Sequence, residues 1–501
     1  MDYKENFFNL FHLPIEYLEN KISMEEHMKN DLELVNTNND LSNCNVPEKN
    51  KSIYQLLFQP QTTFGKKCLK SWSKYYTNNT QFINDSQTLY SDLNELNIDK
   101  NIICDFFDKW KEFKLNSEFN NKYQYISYEK FNWLNESSVF LFILSLYNIL
   151  SPVINLITPL LILIIPFFIL KIMRLPITIN SYIKILKTQF RNNSIYKLFT
   201  SFNDVSLNKK IYLLFCSSMY IFNFYQNIVS CIEFYNNLYF ISNHFETVNN
   251  YIIYTLKKMK HIESKTKNLE SYCKFNEKLT KTICELTLLS NELESLPPLN
   301  SSLFGKISNI GKIMKTFYHL YMKNNIDELF NYTLGFHGYM DTLVGLHKNI
   351  SEKKINRVKI IKKNKTYFND LYHPSIQNKA VKNSVKLTSN KIITGPNAAG
   401  KTTLVKSVII NIILSQQIGM GFFKSANVKL YDYLYCYINI PDTNSRDSLF
   451  QSESRRCKDI LDNIANNPSK SHFCVFDELF SGTNPYEATC TAYSYLTYIS
   501  K

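Results

Sequence analysis

One short stretch constrains this chain more than any other: Lys391-Ile-Ile-Thr-Gly-Pro-Asn-Ala-Ala-Gly-Lys-Thr-Thr403. Gly395 and Gly400 allow backbone N–H groups to turn inward around an anion, and a helix beginning near Lys401 adds its own unpaired N–H groups. In a G-x-x-x-x-G-K-T arrangement Lys401 reaches the β- and γ-phosphate oxygens of a nucleotide, and Thr402 offers a hydroxyl oxygen to Mg2+. Ile392 and Ile393 read as a short buried strand ahead of the loop. Leu404, Val405, Val408, Ile409, Ile412 and Ile413 give a helical apolar face behind it.

A second motif follows at His472-Phe-Cys-Val-Phe-Asp-Glu478, where four apolar residues end in two acids. It reads as a buried parallel strand whose C-terminal end delivers Asp477 to a metal ion and Glu478 to an attacking water. A core strand with a solvated acidic end would look the same in isolation. The two motifs together point to ATP and Mg2+, because each supplies what the other lacks.

Around these motifs the sequence resembles the ATPase domain of the MutS mismatch-repair family. The likeness runs in order through Gly395–Thr402, Gln417-Ile-Gly419, Asp442, Ser448-Leu-Phe-Gln-Ser-Glu453 and Asp477-Glu-Leu-Phe-Ser-Gly-Thr-Asn484. The short interval between Lys401 and Asp477 leaves no room for the helical insert of transporter cassettes. The resemblance implies a phosphate cradle of Gly395, Pro396, Asn397, Ala398, Ala399, Gly400, Lys401, Thr402 and Thr403, with Asn397 near the γ-phosphate. It also implies nucleotide contact at Asn383, Mg2+ held by Thr402 and Asp477, Glu478 as the catalytic residue, and Ser448 reaching the nucleotide of a partner subunit in a homodimer. Upstream, Thr62-Thr63-Phe64-Gly65-Lys66-Lys67 leading to Trp72 looks like the start of the MutS helical core. A Phe-x-Glu mismatch wedge is not found. A MutS-like ATPase, a reduced core and a long apolar insertion together resemble the membrane-associated MutS-like proteins of giant DNA viruses, over residues 30–501 and most strongly over 370–490.

Two departures bear on turnover. The family's switch histidine lies on a later strand that the sequence ending at Lys501 does not contain, so the ATPase domain is expected to be truncated. Ala380 and Val381 precede Asn383 where the family places an aromatic ring against adenine, and Tyr372 is the candidate substitute. Both bear on base stacking and γ-phosphate sensing more than on phosphate or Mg2+ binding.

With 501 residues and 45% apolar content the chain can hold two or three domains. Its 11 cysteines include no C-x-x-C pair, which fits a reducing cytosol and indicates neither a disulfide framework nor a metal cluster. The N-terminus lacks the basic-then-apolar order of a signal peptide. A net charge of +14 calls for an anionic partner, nucleic acid or lipid surface. The basic run Lys353–Lys365 is either a solvated linker face or a binding patch.

The expected fold is multidomain α and α/β: a mostly helical MutS-like core interrupted by a hydrophobic membrane hairpin and followed by a C-terminal P-loop (ABC-type) NTPase domain. Residues 1–48 form a polar and helical segment with a mobile loop at Asn36–Asp40, and 49–136 the first half of the helical core. Residues 137–175 form a membrane segment, 176–350 the core and lever helices, and 351–501 the ATPase domain. From Val139 to Leu170 no residue is charged, which exceeds the roughly 20 residues of one span yet is too short for two. Pro152, Pro159 and Pro166 recur every seven residues and favour a re-entrant hairpin over a straight transmembrane rod. A buried helix pair in a soluble bundle is the alternative. Ile211–Ile232 is also uncharged but carries Ser217, Ser218, Asn223, Gln226 and Asn227, so it reads as a buried or interfacial helix. The basic segment between the two favours a hairpin with both ends cytoplasmic.

The function implied is a membrane-associated MutS-like ATPase that dimerises through its ATPase domain, which lies in the cytosol, of an infected cell if viral. DNA is a further partner that the resemblance allows, bound without mismatch reading. A membrane scaffold using a degenerate ATPase as a dimerisation module is the alternative. A transport ATPase is disfavoured, since one or two spans cannot enclose a pore.

Overall fold

A computed structural model describes residues 7–37, 51–93, 97–115, 119–173, 178–192, 207–296, 303–362, 365–438 and 448–500. In chain order the helices are α1 (Phe7–Leu10), α2 (Glu26–Asp31), α3 (Ile53–Phe58), α4 (Thr63–Trp72), α5 (Thr80–Ser91), α6 (Lys100–Leu115), α7 (Phe119–Lys122) and α8 (Ser138–Ile172). They continue with α9 (Ile179–Asn192), α10 (Leu207–Thr266), α11 (Cys273–Glu294), α12 (Leu303–Met322), α13 (Asn324–Ser351), α14 (Lys401–Gln417), α15 (Leu449–Asn466) and α16 (Pro485–Ile499). The strands are β1 (Lys21–Ser23), β2 (Tyr75–Thr77), β3 (Asn356–Ile360), β4 (Thr366–Leu371), β5 (Asn383–Leu387), β6 (Met420–Gly421), β7 (Ser425–Val428), β8 (Tyr433–Tyr437) and β9 (His472–Phe476).

Contacts divide the chain into two units that cut across the linear segments expected from sequence. The first is built mainly from Asp105–Ile252 and Leu288–Ile326, the second from Lys4–Cys104, Ile253–Thr287 and Asp327–Lys501.

In the first unit, aromatic rings form the core. Trp110 lies 4.8 Å from Tyr321, Phe113 meets Phe317 edge-on at 5.5 Å, and Phe106 stacks on Tyr251 at 3.8 Å. The start of α8 packs on α12 at Gly311, where a Cβ would collide with the Ser138 carbonyl and lie 2.8 Å from the Phe142 Cβ.

The hairpin expected over 137–175 does not form, because α8 is one unbroken helix of 35 residues. Each proline leaves the carbonyl four residues earlier without its helical donor. Two of those carbonyls find other donors: Ser151 Oγ donates to Asn148 O at 3.0 Å, and Tyr220 OH on α10 donates to Asn155 O at 3.5 Å. With these two acceptors satisfied, the helix runs on through Pro152 and Pro159. At about 1.5 Å per residue the helix is roughly 50 Å long, more than the ~30 Å core of a bilayer. Its window Ser138–Asn155 is long and apolar enough to cross a membrane, and little of it is buried. Ile211–Ile232 is likewise no separate buried helix: it lies within the 60-residue α10, with Ile211, Phe215, Ile221 and Phe222 all exposed.

In the second unit the N-terminal segment is part of the core. Phe11, Leu13 and Ile15 are buried, and β1 pairs antiparallel with β2. The loop expected at Asn36–Asp40 falls largely outside the described residues. Thr62 caps α4 by accepting from Gly65 N, while the buried Asp341 of α13 accepts from Gln61 N, Thr62 N and Thr62 Oγ1 at 2.7–2.9 Å. Gly65 is required where it stands, since a Cβ there would overlap the Asp341 carboxylate, 2.8 Å from its Cγ. Trp72 Nε1 donates to Thr342 Oγ1, tying the far end of α4 to α13 as well.

The same unit holds two sheets in its C-terminal part. One has the order β5-β4-β7-β3-β6; the other is the parallel pair β8-β9, in register from Tyr433 opposite His472 to Tyr437 opposite Phe476. The helix α14 is buried from Ser407 to Gln417, on every side and not along a single apolar stripe. Its buried polar side chains, Ser407, Asn411, Ser415, Gln416 and Gln417, are all hydrogen-bonded. Gln417 donates to Trp72 O and Tyr75 O and accepts from Tyr54 OH; Gln416 donates to Thr77 O and Tyr431 O and accepts from Tyr431 N. These bonds fasten the C-terminal end of α14 to α3, α4 and β2, and leave its N-terminal end to the glycine-bounded loop.

Candidate nucleotide site

Residues 391–396 have no regular structure, and a turn over 397–400 leads into α14. Ile392 is 88% exposed and Ile393 43%, so the buried strand expected there is absent. No strand among those described pairs with the segment, and without a partner on either side it has nothing to bury against. Gly400 is the N-cap residue of α14 at φ 84°, and Ala398 has φ 61°. Left-handed backbone at both positions turns the loop tightly, at little cost for glycine and at some strain for alanine.

Lys401 folds back over the loop, its Nζ donating to Gly395 O at 2.7 Å and Pro396 O at 3.0 Å. The Asn397 turn is closed by Ala399 N donating to Pro396 O. The N-terminus of α14 carries no side-chain cap and no acidic residue in its first turn. Its first N–H groups therefore project, together with the helix dipole, into a mouth where a Cβ on Gly400 would meet nothing within 4 Å. That arrangement fits a phosphate group, with Thr402 and Thr403 in the same first turn.

Asp477 and Glu478 sit just past β9. Asp477 N donates to Tyr437 O, carrying the β8 pairing one residue further, and Glu478 and Phe480 take φ values of 48° and 57°. Two non-glycine residues in the left-handed region within four positions mark a strained turn at the acidic end of the strand. No hydrogen bond among the described residues joins Asp477 or Glu478 to Lys401 or Thr402. Burial pushes the Cys436 thiol of β8 up and Asp31 raises it further, while Arg456 and then Lys406 draw it back and Asp477 adds a smaller upward push.

Glu453, quoted in the sequence motif without a role, is 2% exposed and grips the turn after the acids. Its carboxylate accepts from Ser481 Oγ and Gly482 N, each at 3.2 Å. Leu449 closes the same turn: a Cβ on Gly482 would lie 2.6 Å from its Cγ. A glutamate on a helix is ordinarily exposed, and nothing local in the sequence marks this one as buried.

The remaining expected residues stand apart. Ser448 caps α15 in a capping box, accepting from Gln451 N while Gln451 Oε1 accepts from Ser448 N, and it is exposed. Asn383 opens β5, is exposed, and donates to Val381 O. Tyr372 is not free to stack on a base. Its ring is buried beside Phe422 and its hydroxyl donates to Lys354 O at 2.5 Å. Asp442 lies outside the described residues.

The geometry defines, over residues 391–500, an α/β region with an anion-ready turn at the head of a buried helix and a strained acidic turn after a parallel strand. Residues 391–501 match the family profile described as MutS domain V. Curated relatives agree. The chain is 27% identical over 167 residues to Endonuclease MutS2 of Staphylococcus saprophyticus, covering 32% of this chain and 21% of that protein. It is 33% identical over 146 residues to DNA mismatch repair protein MutS of Leptospira interrogans, covering 26% and 16%, and 35% identical over 112 residues to that of Bacteroides fragilis, covering 22% and 12%. The matches span about a fifth or less of each relative, and they support a MutS-family domain in the C-terminal part of this chain.

Proposed function

We propose that the chain is a MutS-like ATPase. The observation that carries this reading is the uncapped N-terminus of α14, entered through left-handed Gly400 with Lys401 folded over its loop. The backbone N–H groups of the loop and Lys401 bind the phosphates of ATP, while Thr402 and Asp477 hold Mg2+. An ion held there would supply positive charge to the phosphate oxygens. Glu478 orients the attacking water and accepts its proton. Buried Glu453 holds the turn that follows Glu478 through Ser481 and Gly482.

Two further parts belong to the same proposal. Two chains join through their ATPase domains, with Ser448 at the exposed head of α15 presented to the partner's nucleotide. The apolar face of α8, with exposed Val139, Ile143, Leu150, Val153 and Ile157, associates with a membrane and leaves the ATPase domain in the cytosol. Kinship to membrane-associated MutS-like proteins of giant DNA viruses, with duplex DNA contacted through phosphates only, rests on that combination.

Glu478→Gln tests the catalytic assignment. The amide cannot accept a proton, so ATP turnover falls at least a hundredfold while Mg-ATP affinity stays within a fewfold of the parent. Turnover equal to the parent's would give the role to another group.

A further inference from the structure

The sheet β5-β4-β7-β3-β6 has one packed face and one open face. Along β3, Val358 is buried while Arg357 and Lys359 are exposed; along β4, Thr366 and Phe368 are buried while Tyr367 is exposed; along β7, Ala426 and Val428 are buried while Ser425 and Asn427 are exposed. Period-two alternation of this kind puts each exposed set on one side of the sheet. Pairing then aligns them in a row: Lys359 lies opposite Asn427, Asn427 opposite Tyr367, and Tyr367 opposite Lys386 of β5.

That row has an unusual composition for a solvent face. A tyrosine, 37% exposed, sits between Asn427 and Lys386, with Lys359 on the far side of the asparagine. Among the described residues Tyr367 makes no ring contact or hydrogen bond, and no ion pair engages Lys359 or Lys386. In the next row Arg357 reaches the Ser91 hydroxyl, and Ser384 Oγ donates to Asn369 Oδ1. Lys365 and Lys429 stand at the strand ends on the same margin of the sheet. The nearest carboxylate along these strands, Asp370, lies at the bulged end of β4, 4.0 Å from Lys424. Lys359 and Lys386 are cations without an ion pair among the described residues, at the two ends of this four-strand row, about 14 Å apart at about 4.8 Å per strand. A polyanion laid across the face would span both, and the free ring between the cations offers a stacking surface that neither a protein carboxylate nor a lipid headgroup needs.

We infer that this open sheet face binds single-stranded nucleic acid, with a base stacked on Tyr367 and the flanking phosphates held by Lys359 and Lys386, Asn427 adding a hydrogen bond to base or sugar. Sheet faces that combine an exposed aromatic ring with cations suit single strands, whose bases are free to splay and stack, and not duplexes, whose bases are already stacked. The face uses none of the residues of the nucleotide site, so it works without ATP.

The test is fluorescence anisotropy of the full chain with a labelled twelve-residue oligothymidylate, without nucleotide, over a range of salt. Binding is expected to weaken at least about fivefold in Tyr367→Ala. The log–log salt slope is expected to flatten by about 1.4 in the Lys359→Gln/Lys386→Gln pair, as loss of two phosphate contacts requires. Lys401→Ala is expected to bind the oligonucleotide as the parent does, which separates this site from the ATPase reading. Tyr367, Lys359 and Lys386 are exposed, and an unchanged urea midpoint verifies that each variant is folded. Parent-like affinity in Tyr367→Ala together with an unchanged slope in the lysine pair would overturn the proposal. So would loss of binding to phosphatidylserine vesicles in these variants with oligonucleotide binding intact, which would give the face to lipid.

Discussion

Gly65→Ala places a methyl group where the structure has the Asp341 carboxylate. The new Cβ would lie 2.8 Å from Asp341 Cγ and 3.0 Å from its Cβ, so the carboxylate must move. One oxygen, Oδ2, accepts from Gln61 N, Thr62 N and Thr62 Oγ1, and Thr62 Oγ1 in turn accepts from Gly65 N. A hydrogen bond to a charged group contributes about 1.5–3 kcal/mol, and an overpacked site costs about 1–3 kcal/mol. Replacing glycine by alanine within a helix returns about 1 kcal/mol. Losing one such bond and straining the contact thus leaves a net destabilisation of about 3 kcal/mol. Urea unfolding followed by tryptophan fluorescence should show a lower midpoint with an unchanged slope. The double variant Gly65→Ala/Asp341→Ala should cost less than the sum of the single changes, because the two share one clash. A midpoint equal to the parent's would refute the argument. Gly400→Ala makes a useful contrast: open space surrounds that glycine, so its cost comes only from φ 84° and is about 1–2 kcal/mol.

Three other outcomes follow from the structure. Burial lowers His337 to about 3 and His373 to about 4, both below the ordinary 6.5 of histidine, so below pH 6.5 the unfolded chain binds protons that the folded chain refuses. Stability is therefore full above about pH 6.5 and falls as pH drops, by about 2 kcal/mol at pH 5 for fully buried His337 alone; urea midpoints at pH 7 and pH 5 that coincide would contradict this. Ser448→Ala removes the cap of α15 and should cost about 1 kcal/mol of stability, while in the dimer turnover falls at unchanged affinity per chain; full turnover would remove Ser448 from the partner's site. Leu150→Lys and Ile157→Lys, both at exposed positions of α8, should leave the urea midpoint in place yet release the chain from vesicles that bind the parent, whereas equal pelleting would show that α8 is not the membrane contact.

What could be read from sequence was local, and what could not was set by partners far along the chain. The turn and helix at Gly395–Gln417 were legible because glycine spacing and helical periodicity act within a few residues. The strand expected at Ile392–Ile393 failed because burial of an apolar pair depends on neighbouring strands, which its own sequence does not specify. The proline spacing in α8 suggested a hairpin; the helix persists because Tyr220, 65 residues away, serves one of the carbonyls that proline leaves open. Gln416 and Gln417 look like ordinary polar positions near a helix end, and their bonds to Thr77 and Trp72, more than 330 residues distant, appear only in the fold. Tyr372 was the candidate for base stacking on type alone, and its ring is instead committed to the core. The Lys353–Lys365 run was ambiguous for the same reason: alternation marks a strand with one open face, but the row of Asn427, Tyr367 and Lys386 beside Lys359 comes from pairing.

The most direct test of the central claim is a calorimetric titration of Mg-ATP into the full chain and into Lys401→Ala. Lys401 is the cation folded over the glycine-bounded loop, held by Gly395 O and Pro396 O, and its removal leaves the rest of the fold untouched. The account predicts saturable binding by the parent at one site per chain, and loss of that heat in the variant at an unchanged urea midpoint. Equal binding by the two proteins, or no binding by the parent, would contradict it.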